Sequence, residues 1–191
     1  MADDPRLHVL LNRLLDVRKL TEILTADVME GVPAIDPQRS ATKRAYVRTV
    51  FALVEGAQSG MSTYLLEGHA AYGWELSDEE KRALCDAVPD SSVERPIGGR
   101  ATLIQRLKLL VKAGRRVFGE HCQLEFGGRD FQAFDRALVM RNRLMHPKRS
   151  QDLDLQDNEL ADVDKARDWY RAGAKRFFEA AATELRVRTG K

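Results

Sequence analysis

The chain has 191 residues, of which 43% are hydrophobic and 31% charged, and its formal net charge is +2. This length suits a single domain over residues 1–191 that buries its own core without disulfides or structural metals. No apolar run approaches the roughly 20 residues of a membrane helix. The chain opens on the acidic Met1-Ala2-Asp3-Asp4 rather than on a basic and then apolar leader. We therefore expect a cytoplasmic protein without a membrane partner.

Apolar residues recur at helical spacing along most of the chain, and no segment alternates as a strand does. Breaks rich in glycine, proline and aspartate separate the helical segments. The predicted helices cover residues 5–31, 36–72, 77–88, 100–119, 130–147 and 159–186. The sequence therefore predicts an all-α protein, an antiparallel bundle of five to six helices.

Local signals predict how several segments begin and connect. Ser77 and Glu80 have the spacing of a capping box, and Asp130 is expected to cap the fifth helix. Residues 89–99 contain two prolines, two glycines and two serines, and we interpret them as a loop. Residues 151–157 are acidic, and we expect a solvated connector there.

Other residues are expected to serve packing. Gly56 and Gly60 lie inside the second helix, where a missing side chain permits the close approach of another helix. Trp74 follows a helix end and is interpreted as a packing anchor or an interface residue. The aromatic residues of the last helix share helical spacing, which favours a core role over a base-stacking platform. These residues are Trp169, Tyr170, Phe177 and Phe178.

The positive charge is concentrated in the middle of the chain. Residues 95–150 hold 13 Lys/Arg against 4 Asp/Glu, whereas residues 1–94 hold 10 against 16. A basic region of this kind attracts phosphates, although solvated basic helix faces are also common. RNA is therefore one expected partner.

The residues best suited to chemistry lie in Arg141-Asn142-Arg143-Leu144-Met145-His146-Pro147. Histidine exchanges protons near neutral pH, arginine binds phosphate with a two-pronged donor, and asparagine can orient either group. Pro147 disfavours a helical conformation for His146, so we expect the helix to end at Met145 or His146. Since Asn142 precedes His146 by four residues, these two are expected to lie side by side.

Arg141-Asn142-Arg143-Leu144-Met145-His146 resembles the RNxxxH form of the RxxxxH motif of HEPN domains, which are helical bundles of many prokaryotic toxin and antiviral systems. The resemblance implies a metal-independent endoribonuclease without a cofactor. In that family the arginine and histidine form the site, and two motifs face each other across a homodimer. The expected reaction is attack of a ribose 2′-hydroxyl on the adjacent phosphate. An antitoxin or another defence-system protein is a further expected partner.

Three residues outside the motif bear on this hypothesis. Glu55, on the second helix, is expected to support Arg141, as an acidic or polar residue on an early helix sometimes does in HEPN proteins. Lys148 stands where some members carry a tyrosine that an antitoxin modifies, so we do not expect that mode of control. A second Arg-x4-His pair, Arg116 to His121, lacks both the polar residue after the arginine and the proline after the histidine. We interpret it as a chance match.

Two other functions remain open on the sequence. The chain could be a catalytically inactive HEPN module that binds RNA or a nucleotide, because binding needs charge but no proton transfer. It could also be a dimerising adaptor that recruits a partner. The absence of paired histidines or cysteines at metal-ligand spacing predicts that no metal site exists.

Overall fold

The computed structural model describes residues 4–31, 40–87 and 101–189. Within these ranges the chain forms α-helices, one 3-10 helix and no strand, which confirms the all-α prediction. The helices are α1 (Pro5–Gly31), α2 (Ser40–Tyr72), α3 (Asp78–Ala87), α4 (Leu103–Phe118), α5 (Arg129–Met145) and α6 (Asp157–Thr189), with the 3-10 helix at Ser150–Leu153. The predicted start of the second helix at 36–37 and the predicted loop at 89–99 lie outside the described residues.

The structure confirms one predicted cap. The Ser77 backbone N–H donates to the Glu80 carboxylate at 2.7 Å, and the Glu80 N–H donates to the Ser77 hydroxyl at 3.2 Å. This reciprocal pair satisfies two N–H groups at the start of α3 that have no partner within the helix.

Three other helix starts differ from their predictions. Helix α4 begins at Leu103 rather than Arg100, because Thr102 and Gln105 form a second capping box. Helix α5 is capped by Gly128 without a side-chain bond, and Asp130 lies within its first turn. Helix α6 begins at Asp157 rather than Glu159, and residues 151–153 of the expected solvated connector belong to the 3-10 helix.

The described contacts divide into two compact units, and helices α1, α2 and α6 contribute residues to both. The first unit comprises residues 1–20, 55–124 and 173–191, and the second comprises 21–54 and 125–172. The expectation of a single domain is not tested by this division and stays a prediction.

An aromatic cluster forms the core of the first unit. Tyr64, Trp74, Phe118 and Phe177 contact one another, with ring centroids between 5.4 and 6.3 Å apart. Such tilted and edge-to-face pairs add to the apolar area that the rings bury. Trp74 is therefore a packing anchor, one of its two predicted roles.

Glycines permit close helix packing in the first unit. A Cβ atom on Gly60 would lie 2.7 Å from a methyl carbon of Val17, so this glycine allows α1 and α2 to approach as predicted. A Cβ on Gly68 would lie 2.0 Å from the Trp74 ring. Any side chain larger than that of glycine at position 68 would therefore require the Trp74 ring to move.

The second unit has its own aromatic core. Phe134 is fully buried and packs against Phe51 and Trp169, with ring centroids 6.0 and 4.9 Å apart. The Trp169 indole N–H donates to the Glu125 carbonyl, and the buried Tyr170 hydroxyl donates to the Val54 carbonyl, both at 3.0 Å. These bonds satisfy the polar tips of two large buried side chains.

The predicted core role of the α6 aromatic residues is confirmed for Trp169, Tyr170 and Phe177, which are all buried. The two cysteines, Cys85 and Cys122, are free thiols. Cys122 is buried, and burial raises the pKa of its thiol to about 11.

We expect Gly68→Ala to lower the free energy of unfolding by about 1–3 kcal/mol, the usual cost of overpacking a core. The matched control is Gly31→Ala. Nothing lies within 4 Å of a Cβ at Gly31, so this change should be neutral or stabilise α1 by about 0.5–1 kcal/mol. Urea unfolding followed by Trp fluorescence measures both effects. Equal stability of the two variants would contradict the close contact at Trp74.

Candidate functional site

The orientation of α5 follows from the residues that it buries. Ala133, Phe134, Ala137, Met140 and Leu144 lie on one side of the helix and are buried. Successive helical residues are about 100° apart, so the opposite side carries residues 135, 139, 142 and 146. All four are exposed, and they are Asp135, Val139, Asn142 and His146. We call these four residues the outer face of α5.

The end of α5 lies where the sequence predicted it. Met145 is the last helical residue, and His146 is the C-cap with φ −132° and ψ 59°. The His146 backbone N–H still donates to the Asn142 carbonyl at 3.1 Å, whereas Pro147 has no N–H with which to continue the pattern. The His146 side chain is exposed at this helix end.

Arg141 and Asn142 are joined by a side-chain hydrogen bond. The Arg141 guanidinium donates from Nη1 to Oδ1 of Asn142 at 3.1 Å. Arg141 is half-buried, and Asn142 is exposed. The Arg141 guanidinium is thus bonded to the side-chain amide of the adjacent residue, Asn142. The expected side-by-side contact of the Asn142 and His146 side chains stays a prediction, since the bond observed between these residues is a backbone bond.

Arg143 anchors α5 to the start of α6. Its Nη2 atom donates to the Asp154 carbonyl at 2.9 Å and forms an ion pair with the Glu159 carboxylate at 3.0 Å. The same carboxylate accepts the Gln156 backbone N–H at 2.9 Å. Within the second unit Arg143 therefore holds the segment behind the motif in place.

The segment after Pro147 is fixed by Asp152. Its carboxylate accepts the backbone N–H groups of Lys148 at 2.7 Å and Arg149 at 2.9 Å. These two bonds lower the pKa of the Asp152 carboxyl below its ordinary value of 3.8. This role of Asp152 was not predicted from the sequence, although an aspartate can accept backbone N–H groups three and four residues before it.

A two-pronged ion pair joins the middle of α5 to α6. The Arg136 Nε and Nη2 atoms each lie 2.7 Å from a carboxylate oxygen of Asp162. The pair lowers the pKa of the Asp162 carboxyl.

Several other cations of the basic stretch also have acidic partners, among them Arg115 with Glu120, Arg116 with Glu80 and Arg143 with Glu159. Because Glu80 and Glu159 lie outside residues 95–150, the net charge of that stretch alone overstates its own positive field.

The remaining predicted residues lie elsewhere. Glu55 is half-buried on α2 and belongs to the first unit, whereas the motif belongs to the second, and its expected support of Arg141 stays a prediction. In the chance pair, Arg116 contacts the fully buried Glu80 at 3.2 Å. His121 is exposed in the turn that follows Gly119, whose φ of 82° ends α4.

Comparison with known proteins adds no relative. No family model matches the chain, and neither a curated protein nor a solved structure matches it.

Among the described residues, no three His, Cys, Asp or Glu side chains are arranged to hold a metal ion. No helix in the described ranges has both the length and the apolar character to span a membrane.

We expect Asp152→Asn to speed hydrogen exchange at the Lys148 and Arg149 amides, because a neutral amide is a weaker acceptor than a carboxylate. The folded-state pKa of Asp152 is depressed, so its contribution to stability is present above pH 3.8 and is lost as the pH falls through the lower folded value. Amide NMR measures both effects. The control is Asp154→Asn, since Asp154 contacts Arg143 through its carbonyl. Unchanged exchange rates of the Lys148 and Arg149 amides in Asp152→Asn would contradict their hydrogen bonds to the Asp152 carboxylate.

Proposed function

We propose that this chain is a metal-independent endoribonuclease of the HEPN type, acting as a cytoplasmic homodimer in a toxin or antiviral defence system. The observation that carries the proposal is the exposed end of α5, where His146 caps the helix beside Asn142 and the Arg141 guanidinium is bonded to Asn142. A proton-transfer group and a phosphate-binding group thus lie five residues apart at one helix end, where the imidazole is exposed and the guanidinium is half-buried.

The chemistry proposed for these residues is internal transesterification. The ribose 2′-oxygen attacks the adjacent phosphorus while His146 accepts the hydroxyl proton. The bond from phosphorus to the 5′-oxygen breaks, and a protonated histidine delivers a proton to the leaving oxygen. Arg141 stabilises the charge on the phosphate oxygens in the transition state. The products are a 2′,3′-cyclic phosphate and a 5′-hydroxyl end.

The small number of reactive groups in one motif is a reason for proposing a homodimer, because one histidine and one arginine alone make a sparse site. An isologous interface adds residues of a second copy beside each motif.

The outer face of α5 has the spacing of a helix-pairing surface. Its residues 135, 139, 142 and 146 repeat at intervals of four, three and four, and Val139 is 66% exposed between polar neighbours. In an antiparallel pair of α5 helices, Val139 of one copy packs on Asn142 of the other. Asp135 then lies level with His146 of the second copy, where a carboxylate can orient an imidazole.

The surroundings of the motif favour a second candidate function. Lys148 and Arg149 have exposed side chains next to His146, and their backbone is held by Asp152. Two cations on a fixed turn suit the binding of RNA or a nucleotide without cleavage.

We expect His146→Ala to abolish RNA cleavage and to leave the melting temperature unchanged, since the side chain is exposed. Arg141→Ala should lower the rate, and Arg141→Lys should restore little, because a point charge does not replace a planar two-pronged donor. Gel assays on labelled RNA measure these rates. Cleavage should survive EDTA, and RNA with a 2′-deoxy sugar at the cleaved position should resist.

The control for this experiment is His121→Ala, which removes the histidine of the chance pair and should cleave as wild type does. Wild-type protein that binds RNA but cuts none would support the second candidate. Loss of cleavage in EDTA would overturn the mechanism.

We expect Val139→Lys to dissociate the dimer and to reduce cleavage, because two lysines would meet near the two-fold axis. Val187→Lys is the matched control, since Val187 is 73% exposed and lies on α6. Light scattering after size exclusion gives the mass of each variant. Equal masses and rates for the two variants would exclude α5 as the dimer contact.

A further inference from the structure

The segment between α5 and α6 is held at both of its ends. At its beginning, the Asp152 carboxylate accepts two backbone N–H groups. At its end, two successive carbonyl groups accept arginine donors from two different helices. Arg44 of α2 donates from Nη1 to the Leu153 carbonyl at 3.2 Å, and Arg143 of α5 donates from Nη2 to the Asp154 carbonyl at 2.9 Å.

The start of α6 is also joined to α2. Lys43 is buried, and its Nζ atom forms an ion pair with the carboxylate of Asp157, the first residue of α6, at 2.9 Å. Lys43 and Arg44 are successive residues of α2, so one turn of this helix contacts both the 3-10 helix and the start of α6. The segment that follows His146 is therefore anchored to α2 as well as to α5.

These contacts leave two cations exposed. Lys148 and Arg149 take part through their backbone N–H groups, and their side chains are exposed. The ion pairs within the described chain include Arg136 and Arg143 but neither of these two residues. A side chain on a fixed backbone has less conformational freedom to lose when it binds an anion. The turn that carries Lys148 and Arg149 is therefore suited to hold a phosphate.

This turn lies next to the residues of the proposed cleavage site. Lys148 and Arg149 follow His146 by two and three residues, so their Cα atoms lie at most about 7 and 11 Å from that of His146. Arg141, by contrast, is half-buried and bonded to Asn142. A nucleic-acid strand carries one phosphate per nucleotide. A strand whose scissile phosphate meets His146 and Arg141 thus brings its next phosphate towards the turn.

We propose that Lys148 and Arg149 form a subsite for the phosphate next to the scissile one. This inference rests on the proposed ribonuclease function and names its substrate as an RNA strand with at least two consecutive phosphodiesters. A dinucleotide has only the scissile phosphate and should be a poor substrate. The subsite holds a phosphate that does not react, so its loss should raise KM and leave kcat unchanged.

A neutral methylphosphonate at a single linkage tests the subsite. The probe is a DNA strand with one ribonucleotide, which fixes the cleaved linkage, and the methylphosphonate replaces the linkage before or after it. With wild-type protein, one of these two probes should raise KM about tenfold, the effect of one lost charge-assisted contact. In the double variant Lys148→Ala with Arg149→Ala, this penalty should disappear, because the residues that contact the phosphate are absent.

The matched control is Lys112→Ala with Lys165→Ala, which removes two exposed cations from α4 and α6. This control should keep the methylphosphonate penalty. The slope of log(kcat/KM) against log salt should fall by about one to two in the Lys148 and Arg149 double variant, one for each phosphate contact, and should stay unchanged in the control. Circular dichroism checks that all variants fold.

Binding of the same strands without the ribonucleotide, measured by fluorescence anisotropy, separates this inference from the proposed function. If wild-type protein cleaves and the double variant keeps the penalty, the subsite is wrong and the ribonuclease function stands. If wild-type protein binds but does not cleave, the ribonuclease function fails. The subsite then stands only if the double variant removes the penalty on Kd. A wild-type protein that is indifferent to both methylphosphonates, or that binds no strand, would overturn the subsite.

Discussion

The burial of Phe134 between Phe51 and Trp169 sets the rotation of α5, and the candidate site depends on it. A helix has one azimuth at which its apolar side meets a core, and the fully buried Phe134 fixes that azimuth. The opposite side, with Asn142 and His146, must then be exposed. A replacement that leaves a cavity at Phe134 would cost about 3–5 kcal/mol and would release the motif from this constraint.

Polar contacts hold the chain on both sides of His146. Before it, Arg143 joins α5 to the Asp154 carbonyl and to Glu159, and after it, Asp152 holds the backbone behind Pro147. Each bond is modest, because exposed ion pairs contribute about 0–1 kcal/mol. Their common effect is to restrict the backbone on either side of one exposed imidazole, which is the kind of preorganisation that a proton-transfer group needs.

The net charge of a segment describes its electrostatic effect poorly in two parts of this chain. The basic excess of residues 95–150 is partly neutralised by local pairs such as Arg116 with Glu80, so a simple count overestimates its attraction for RNA. The two halves of α1 carry opposite charges in an order that the helix dipole does not favour. The position of each charge relative to its helix and its neighbours is therefore more informative than the total.

Much of the fold was determined by the sequence alone, because its causes are local. Apolar spacing located the helices, the Ser77 and Glu80 pair marked a helix start, and Pro147 predicted an end of α5 at Met145 or His146, which the structure has at Met145. The same local reasoning missed the Thr102 cap, although its signal was present in the sequence. The motif itself was also found from sequence, since its residues are contiguous.

Only the tertiary structure decided which partners the site residues take. Arg143 and Glu159 are 16 residues apart, and Phe51 and Phe134 belong to different helices, so no local pattern specifies either contact. Sequence periodicity gives the apolar side of a helix, but it does not give the residue that each polar group meets. The partner of each polar group depends on how distant segments pack in three dimensions. This packing gives Arg143 an ion pair with Glu159 and leaves His146 exposed.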